Sequence, residues 1–417
     1  RCACCCALID STAPLGCCPA ANCSSLPATF AQPIPSLAPF PHSIRPQRPT
    51  STDKEIDTID TLLTLRHALL SWHDTYARDL PWRGEHDPYR IWVSEIMLQQ
   101  TRAETVVPYY HAFLREFPTL DALARADDTR VLKQWEGLGY YSRARNLHRG
   151  AQLIVDELGG RFPETVPELL KLPGVGKYTS GAIASMAFGL AEPAIDGNQV
   201  RVLARLFDMR LLTTLPAAKA QLAAHARALI DPDRPGDFNQ ALMGLGALLC
   251  VPRKPDCAKC PSQAQCLAFA AGVQGTLPVL PEKVKQRVER RAVALVFAGA
   301  RVYVRRRADS GLLGGLWEFP NFLDARSDAD VRAALAEMGL IVTRHAPGPR
   351  AKHVFTHLIW HMTGHLYEAA QALNAPQFSD GQALSAAQFA DAKTLSALPM
   401  PTALKPFRDA ALARIAP

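Results

Sequence analysis

Cys250, Cys257, Cys260 and Cys266 stand in the spacing C-x6-C-x2-C-x5-C. Loops this short bring four thiolates to one small point and turn backbone amides toward sulfur, which suits an iron–sulfur cluster. A Cys4 zinc site is the alternative, although zinc more often takes two C-x2-C knuckles across a longer insert. The spacing favours a [4Fe–4S] cluster held by these four residues. Arg253, Lys254 and Lys259 lie inside the loops. The metal is therefore expected to brace a basic surface against phosphate, a structural and DNA-facing role, and not to turn over electrons.

The other seven cysteines, at positions 2, 4, 5, 6, 17, 18 and 23, lie in a stretch of different character. The first fifty residues begin with Arg, are crowded with Pro, Ser and Cys, and hold one acidic residue, Asp10, before Asp53. Residues 1–52 are expected to be a disordered extension. Three origins compete for it: a translated upstream stretch or mis-set start, an organellar transit peptide, and a cysteine-rich metal tail.

The remainder of the 417 residues is long enough for two or three cores. A net charge of +7 and a pI near 8.9 fit a polyanionic partner without requiring one. The longest apolar runs, such as Ala182 to Leu190, suit buried helices and fall short of the roughly 18 residues a membrane span needs, which argues against a membrane role. Residues 53–274 carry helical periodicity, in segments such as Val131 to Leu138, Ala144 to Leu158, Thr179 to Phe188, Val200 to Phe207 and Ala217 to Ile230. They are expected to form an all-α domain. Residues 275–291 read as a linker, with Pro278 and Pro281 followed by Lys283, Lys285, Arg287, Glu289, Arg290 and Arg291. Residues 292–417 read as an α+β domain. Ala292 to Phe297 and Arg301 to Val304 predict a hairpin, Asp328 to Met338 a helix, and the surroundings of Val354 to Tyr367 further strands.

Within the helical region, Leu172-Pro173-Gly174-Val175-Gly176-Lys177-Tyr178-Thr179 places two glycines in a tight turn ahead of an apolar helix. Amides at such a helix start can meet a phosphate, although glycine at a helical turn needs no ligand to explain it. About twenty residues on, Asp196 opens the next helix in Ala194-Ile195-Asp196-Gly197-Asn198. An N-cap explains an Asp there, and a helix N-terminus is expected to keep its carboxylate ionised with a low pKa. The second carboxyl, Glu95, lies in Val93-Ser94-Glu95-Ile96-Met97-Leu98-Gln99-Gln100-Thr101, with Ile91, Trp92 and Leu98 at i−4, i−3 and i+3. An apolar wall raises a carboxyl pKa. Two carboxyls pushed apart in pKa are what N-glycosidic cleavage needs, one as acid and one as persistent anion beside an oxocarbenium-like transition state.

The hairpin, Asp196 and the four-cysteine loop together resemble the helix-hairpin-helix glycosylase superfamily, from about Asp53 to Ala271. Leu80-Pro81-Trp82-Arg83, Ser94 to Arg102, Gly137-Leu138-Gly139-Tyr140-Tyr141-Ser142-Arg143 and Asp196-Gly197-Asn198 look like its adenine-specific, MutY-type branch. The resemblance implies that Glu95 protonates adenine and later handles the water, while Asp196 stabilises the sugar cation or forms a transient adduct. It implies supporting hydrogen bonds from Tyr178 and Asn198, phosphate contacts at Gly174 and Gly176, and a pocket for a flipped base lined by Leu80, Trp82, Arg83 and Gln240. Gln100 and Tyr140 resemble the residues that fill the vacated stack and wedge beside the lesion. Lyase-competent relatives place a lysine at the step where this chain has Tyr178, with Lys177 one residue earlier, so base removal without efficient strand cleavage is expected.

Gly314-Gly315-Leu316-Trp317-Glu318-Phe319-Pro320 resembles the opening of a Nudix-type fold. The acidic helix that would bind magnesium is missing, since the corresponding stretch reads Arg332-Ala333-Ala334-Leu335-Ala336-Glu337-Met338-Gly339. The resemblance thus implies a lesion-reading domain, with 8-oxoguanine met through Phe355-Thr356-His357. The family often has Ser where this chain has Thr356, which keeps the hydroxyl. The implied partner is duplex DNA with A:8-oxoguanine or A:G mispairs, bound by a monomer. The compartment would be cytoplasm and nucleoid in a bacterium, nucleus or mitochondrion in a eukaryote. Competing readings are an endonuclease III-like oxidised-pyrimidine glycosylase and lyase, an iron–sulfur DNA-binding sensor without catalysis, and a nucleotide pyrophosphatase.

Overall fold

The computed structural model describes residues 59–282, 285–325, 327–370 and 387–416. The extension read at 1–52 and Lys283 of the linker lie outside the described residues. The first half is helical: α1 (Ile59–Tyr76), α2 (Pro88–Leu98), α3 (Ala103–Glu116), α4 (Leu120–Ala124), α5 (Asp128–Gln134), α6 (Ser142–Asp156), α7 (Val166–Leu169), α8 (Lys177–Phe188), α9 (Gly197–Leu206), α10 (Pro216–Leu229), α11 (Pro235–Leu248) and α12 (Leu267–Ala270). Two apolar cores hold it together. One gathers Trp92, Phe113, Trp135, Leu147 and Ile183 from α2 to α8. The other joins Leu69 of α1 to Leu203, Leu229 and Leu245, and Cys250, Cys260 and Cys266 pack against it. No described helix is long and apolar enough to cross a membrane.

The second half is a mixed sheet: β1 (Arg287–Ala298), β2 (Arg301–Arg306), β3 (Trp317–Glu318), β4 (Asn321–Leu323), β5 (Val342–Val354), β6 (Leu358–Ala369) and β7 (Ala387–Ala390). Strands run β3-β2-β1-β6-β5, with β4 also on β1 and β7 on β2. β1 and β6 are parallel, and the β1–β2 hairpin is antiparallel as expected. Helices α13 (Asp328–Glu337), α14 (Ala392–Ala397) and α15 (Lys405–Ile415) complete it. Alternation along β1 feeds two cores, Val293, Leu295 and Phe297 to one and Ala292, Ala294 and Val296 to the other. β1 starts at Arg287, inside the stretch read as linker. Arg287, Glu289 and Arg291 share one face of this strand: Glu289 is buried and accepts from Arg291 (2.9 Å) and Trp360 Nε1 (2.9 Å).

Candidate active site and cysteine loop

Asp87 caps α2, accepting from the Tyr89 amide at 2.8 Å, and Pro88 opens the helix. The helix is buried from Ile91 to Met97, and Glu95 is 3% exposed. Its carboxylate accepts from the Tyr178 hydroxyl at the start of α8. Burial pushes the Glu95 carboxyl up to about 7; the Tyr178 hydrogen bond opposes this and the Asp196 charge adds to it. Burial also pushes the Tyr178 hydroxyl well up, so it remains a donor.

Asp196 is the N-cap of α9, its Oδ1 accepting from the Gln199 amide at 2.7 Å and its Oδ2 from Asn198 Nδ2 at 2.8 Å. The low pKa expected from the helix terminus is corrected here. Asp196 is raised, because burial outweighs the amide, Asn198 and Arg201 contributions that favour its anion. Gly246 of α11 lets Asn198 approach: a Cβ there would lie 2.7 Å from Asn198 Cβ.

Glu95, Tyr178, Asp196 and Asn198 line one cavity of about 940 Å³. The wall also holds Leu80, Trp82, Arg83, Gln100, Gly174, Gly176, Lys177 and Gln240, along with Met243, a contact of the Tyr178 hydroxyl that the sequence reading missed. Gly174 has φ +76 and its missing Cβ would stand 2.7 Å from Asn146 Cβ, so the hairpin turn requires glycine. Tyr140 is placed elsewhere. It lines a second cavity of about 390 Å³ with Phe355, Thr356 and His357, and its hydroxyl meets Thr356 Oγ1.

Gln100 and Tyr140 both hold positive φ, 58° and 48°. Such backbone persists in non-glycine residues only when its surroundings hold it. One buried guanidinium does so. Arg143 donates to the carbonyls of Ile96 (2.8 Å), Met97 (2.9 Å) and Gln99 (2.6 Å) on one side and of Leu138 and Gly139 (both 3.1 Å) on the other. It thereby closes the C-terminus of the helix bearing Glu95 and ties the Gln100 turn to the Tyr140 turn. The sequence shows Arg143 only as a letter in a motif; its role needs the two turns in space. Arg143→Lys, with three donors on one atom, is expected to lower unfolding free energy by about 2–4 kcal/mol. A chemical melt indistinguishable from the parent's would refute this role.

Cys250, Cys257, Cys260 and Cys266 line one small cavity with Arg205, and none is in a disulfide. Four sulfurs facing a shared space, with the Arg205 guanidinium donating to Cys250 Sγ at 3.2 Å, fit a thiolate-ligated metal centre. Arg253 and Lys254 are exposed at the loop surface, while Lys259 pairs with Asp256 at 3.0 Å. Arg201 joins this loop to the carboxylate: it donates to Asn198 Oδ1 (2.8 Å), the Gly246 carbonyl (2.8 Å) and the Cys250 carbonyl (2.7 Å).

Comparison with known proteins agrees with this geometry. Residues 93–225 match the HhH-GPD superfamily of base excision DNA repair proteins, and residues 292–410 match the NUDIX domain. The chain is 37% identical over 371 residues to the adenine DNA glycosylase of Homo sapiens, covering 76% of this chain and 67% of that one. It is 39% identical over 324 residues to the Mus musculus enzyme, covering 65% and 63%. With the Schizosaccharomyces pombe enzyme it is 32% identical over 376 residues, covering 73% and 81%. The chain belongs to the adenine DNA glycosylase family, DNA N-glycosylases of the HhH-GPD superfamily.

Proposed function

We propose that the protein hydrolyses the N-glycosidic bond of adenine mispaired with 8-oxoguanine or guanine in duplex DNA. The observation that carries this reading is the pair of carboxyls on one cavity: Glu95, buried and raised to about 7, and Asp196, held by an amide and Asn198. Protonated Glu95 gives its proton to the departing base, so the base leaves neutral and the C–N electron pair goes with it. Asp196, as anion, faces the cationic sugar that remains. Glu95, now ionised, takes a proton from the attacking water. Trp82 and Arg83 wall the space for the flipped base, and Gln100 and Tyr140 enter the duplex from the two turns that Arg143 joins.

The domain division follows: an extension at 1–52, a glycosylase domain at 53–274, a linker that ends before β1, and a lesion-reading domain whose sheet begins at Arg287. Cys250, Cys257, Cys260 and Cys266 hold a [4Fe–4S] cluster, which when bound gives a rigid basic loop beside the DNA backbone. The protein acts as a monomer, in whichever compartment holds the DNA. Thr356, whose hydroxyl already meets Tyr140, supports the lesion-facing role of Phe355-Thr356-His357. Tyr178 stands where a Schiff-base lysine would be needed, which supports base removal without strand cleavage. Lys177 is exposed and also reaches the cavity wall, so both activities need measuring.

The test uses duplexes with one adenine opposite 8-oxoguanine, beside A:T and thymine-glycol controls. Strand breaks at adenine that require hot alkali are expected. Breaks at thymine glycol without alkali would move the protein to the lyase class.

A further inference from the structure

Away from the three cavities described above, three side chains of the sheet region converge on one point. His345 on β5 and His365 on β6 face each other with Nε2 and Nδ1 3.1 Å apart, and Asp328 Oδ1, from the first turn of α13, lies 3.8 Å from the same His345 nitrogen. All three ligand atoms fall within 4.8 Å of one another. The strands bring this about. His345 pairs with Tyr367, so His365, two residues earlier on β6, shares its face. The β5–β6 register shifts between Val342 and His345 and again between Pro347 and Arg350, irregularities of the kind that re-aim a side chain.

We propose that Asp328, His345 and His365 form a binding site for a divalent transition-metal ion of the zinc class. At 3.1 Å the two ring nitrogens are close enough either to share one proton in a hydrogen bond or to ligate one ion, and the Asp328 carboxylate beside them favours the ion. Zinc bonds of roughly 2.0–2.1 Å to nitrogen place tetrahedral neighbours about 3.3 Å apart, close to the separation found. The carboxylate completes a three-ligand set with a fourth position open to water. It is also held in place: Arg332 Nε donates to Oδ2 at 2.7 Å and the Tyr367 hydroxyl to Oδ1 at 2.7 Å. Such outer partners are what fix a ligating carboxylate. Two imidazoles and a single carboxylate, with the Arg332 cation alongside, select a borderline ion over magnesium or calcium, which demand more oxygen ligands. The site is separate from the four-cysteine loop and does not use the helix positions Arg332 to Gly339 where a Nudix hydrolase would carry its acidic residues. Its effect is mechanical. The ion clips the first turn of α13 to β5 and β6, above the core where Val331 and Leu335 pack with Tyr367.

The test compares the 417-residue, cluster-loaded chain with His345→Ala/His365→Ala after equilibration with zinc and removal of loosely bound ion. The cysteines are common to both proteins, so the difference isolates this site. The parent is expected to retain one more zinc per chain than the variant at equal iron content, and zinc should raise the melting temperature of the parent only. Equal zinc content in both would overturn the proposal and leave a shared proton as the reason for the close ring approach. Should the double variant fail to fold, Asp328→Asn serves: zinc affinity is expected to fall about tenfold or more, and an unchanged affinity overturns the proposal equally.

Discussion

Glu95→Gln is expected to lower the single-turnover rate of adenine release by about 10²–10⁴-fold, the range for loss of a positioned general acid. Gln is close in shape and still accepts from the Tyr178 hydroxyl, so the cavity should persist. The pH profile carries the sharper test. With Glu95 pushed up to about 7 by burial, the protonated acid predominates below that pH, and the parent rate should fall about tenfold per unit above it. The variant should lack this alkaline limb. Stability follows with a definite sign. A carboxyl raised in the folded state favours folding below its ordinary pKa, and this advantage disappears as pH rises through about 7, where the buried anion must form. The Gln variant should therefore unfold at higher denaturant than the parent above pH 7, by up to about 3 kcal/mol, and not below pH 4. A variant with the parental rate and the same alkaline limb would show that another group is the acid.

The helices were legible because period and punctuation agree: the segment expected at Ala144 to Leu158 forms at Ser142–Asp156, and Asp196 caps α9 as its residue type suggests. Glu95 was legible for a related reason, since a lone acid in a helix apolar nearly all round has to be buried. What the sequence could not weigh was the opposition of two effects at Asp196. The cap is local and visible, whereas the burial that outweighs it comes from elements far along the chain. The same limit hid the Arg201 bridge between Asn198 and the cysteine loop, and the meeting of Tyr140 with Thr356, 216 residues away. Charge misled at the linker. Arg287, Glu289 and Arg291 read as the end of a linker, but alternate with Val288, Arg290 and Ala292 along a paired strand. A polar run carries no periodic apolar signal to announce such a strand.

Asp196→Asn should cost about 10²–10³-fold in the same single-turnover rate, with the fold largely intact. Asn is as good an N-cap as Asp, so the Gln199 amide keeps its acceptor oxygen, but the NH2 group that replaces the second oxygen is a donor facing the Asn198 Nδ2 donor, so a single hydrogen bond is lost. That loss is worth about 1 kcal/mol, and it is offset because a buried anion has been removed. The rate suffers for a different reason. A neutral amide offers the sugar cation no counter-charge, and the low-dielectric cavity that raises Asp196 would have magnified that charge. Because burial raises Asp196 from its ordinary value, the parent should lose activity on the acid side at a higher pH than an ordinary Asp would set, giving with Glu95 a bell-shaped profile that belongs to the coupled pair. Binding to an uncleaved duplex should change little, which separates this residue from the Gly174–Gly176 hairpin, proposed to meet phosphate. If Asp196→Asn releases adenine at more than about a tenth of the parental rate, against the loss expected for a missing electrostatic partner, Asp196 is a helix cap and the cation is stabilised elsewhere.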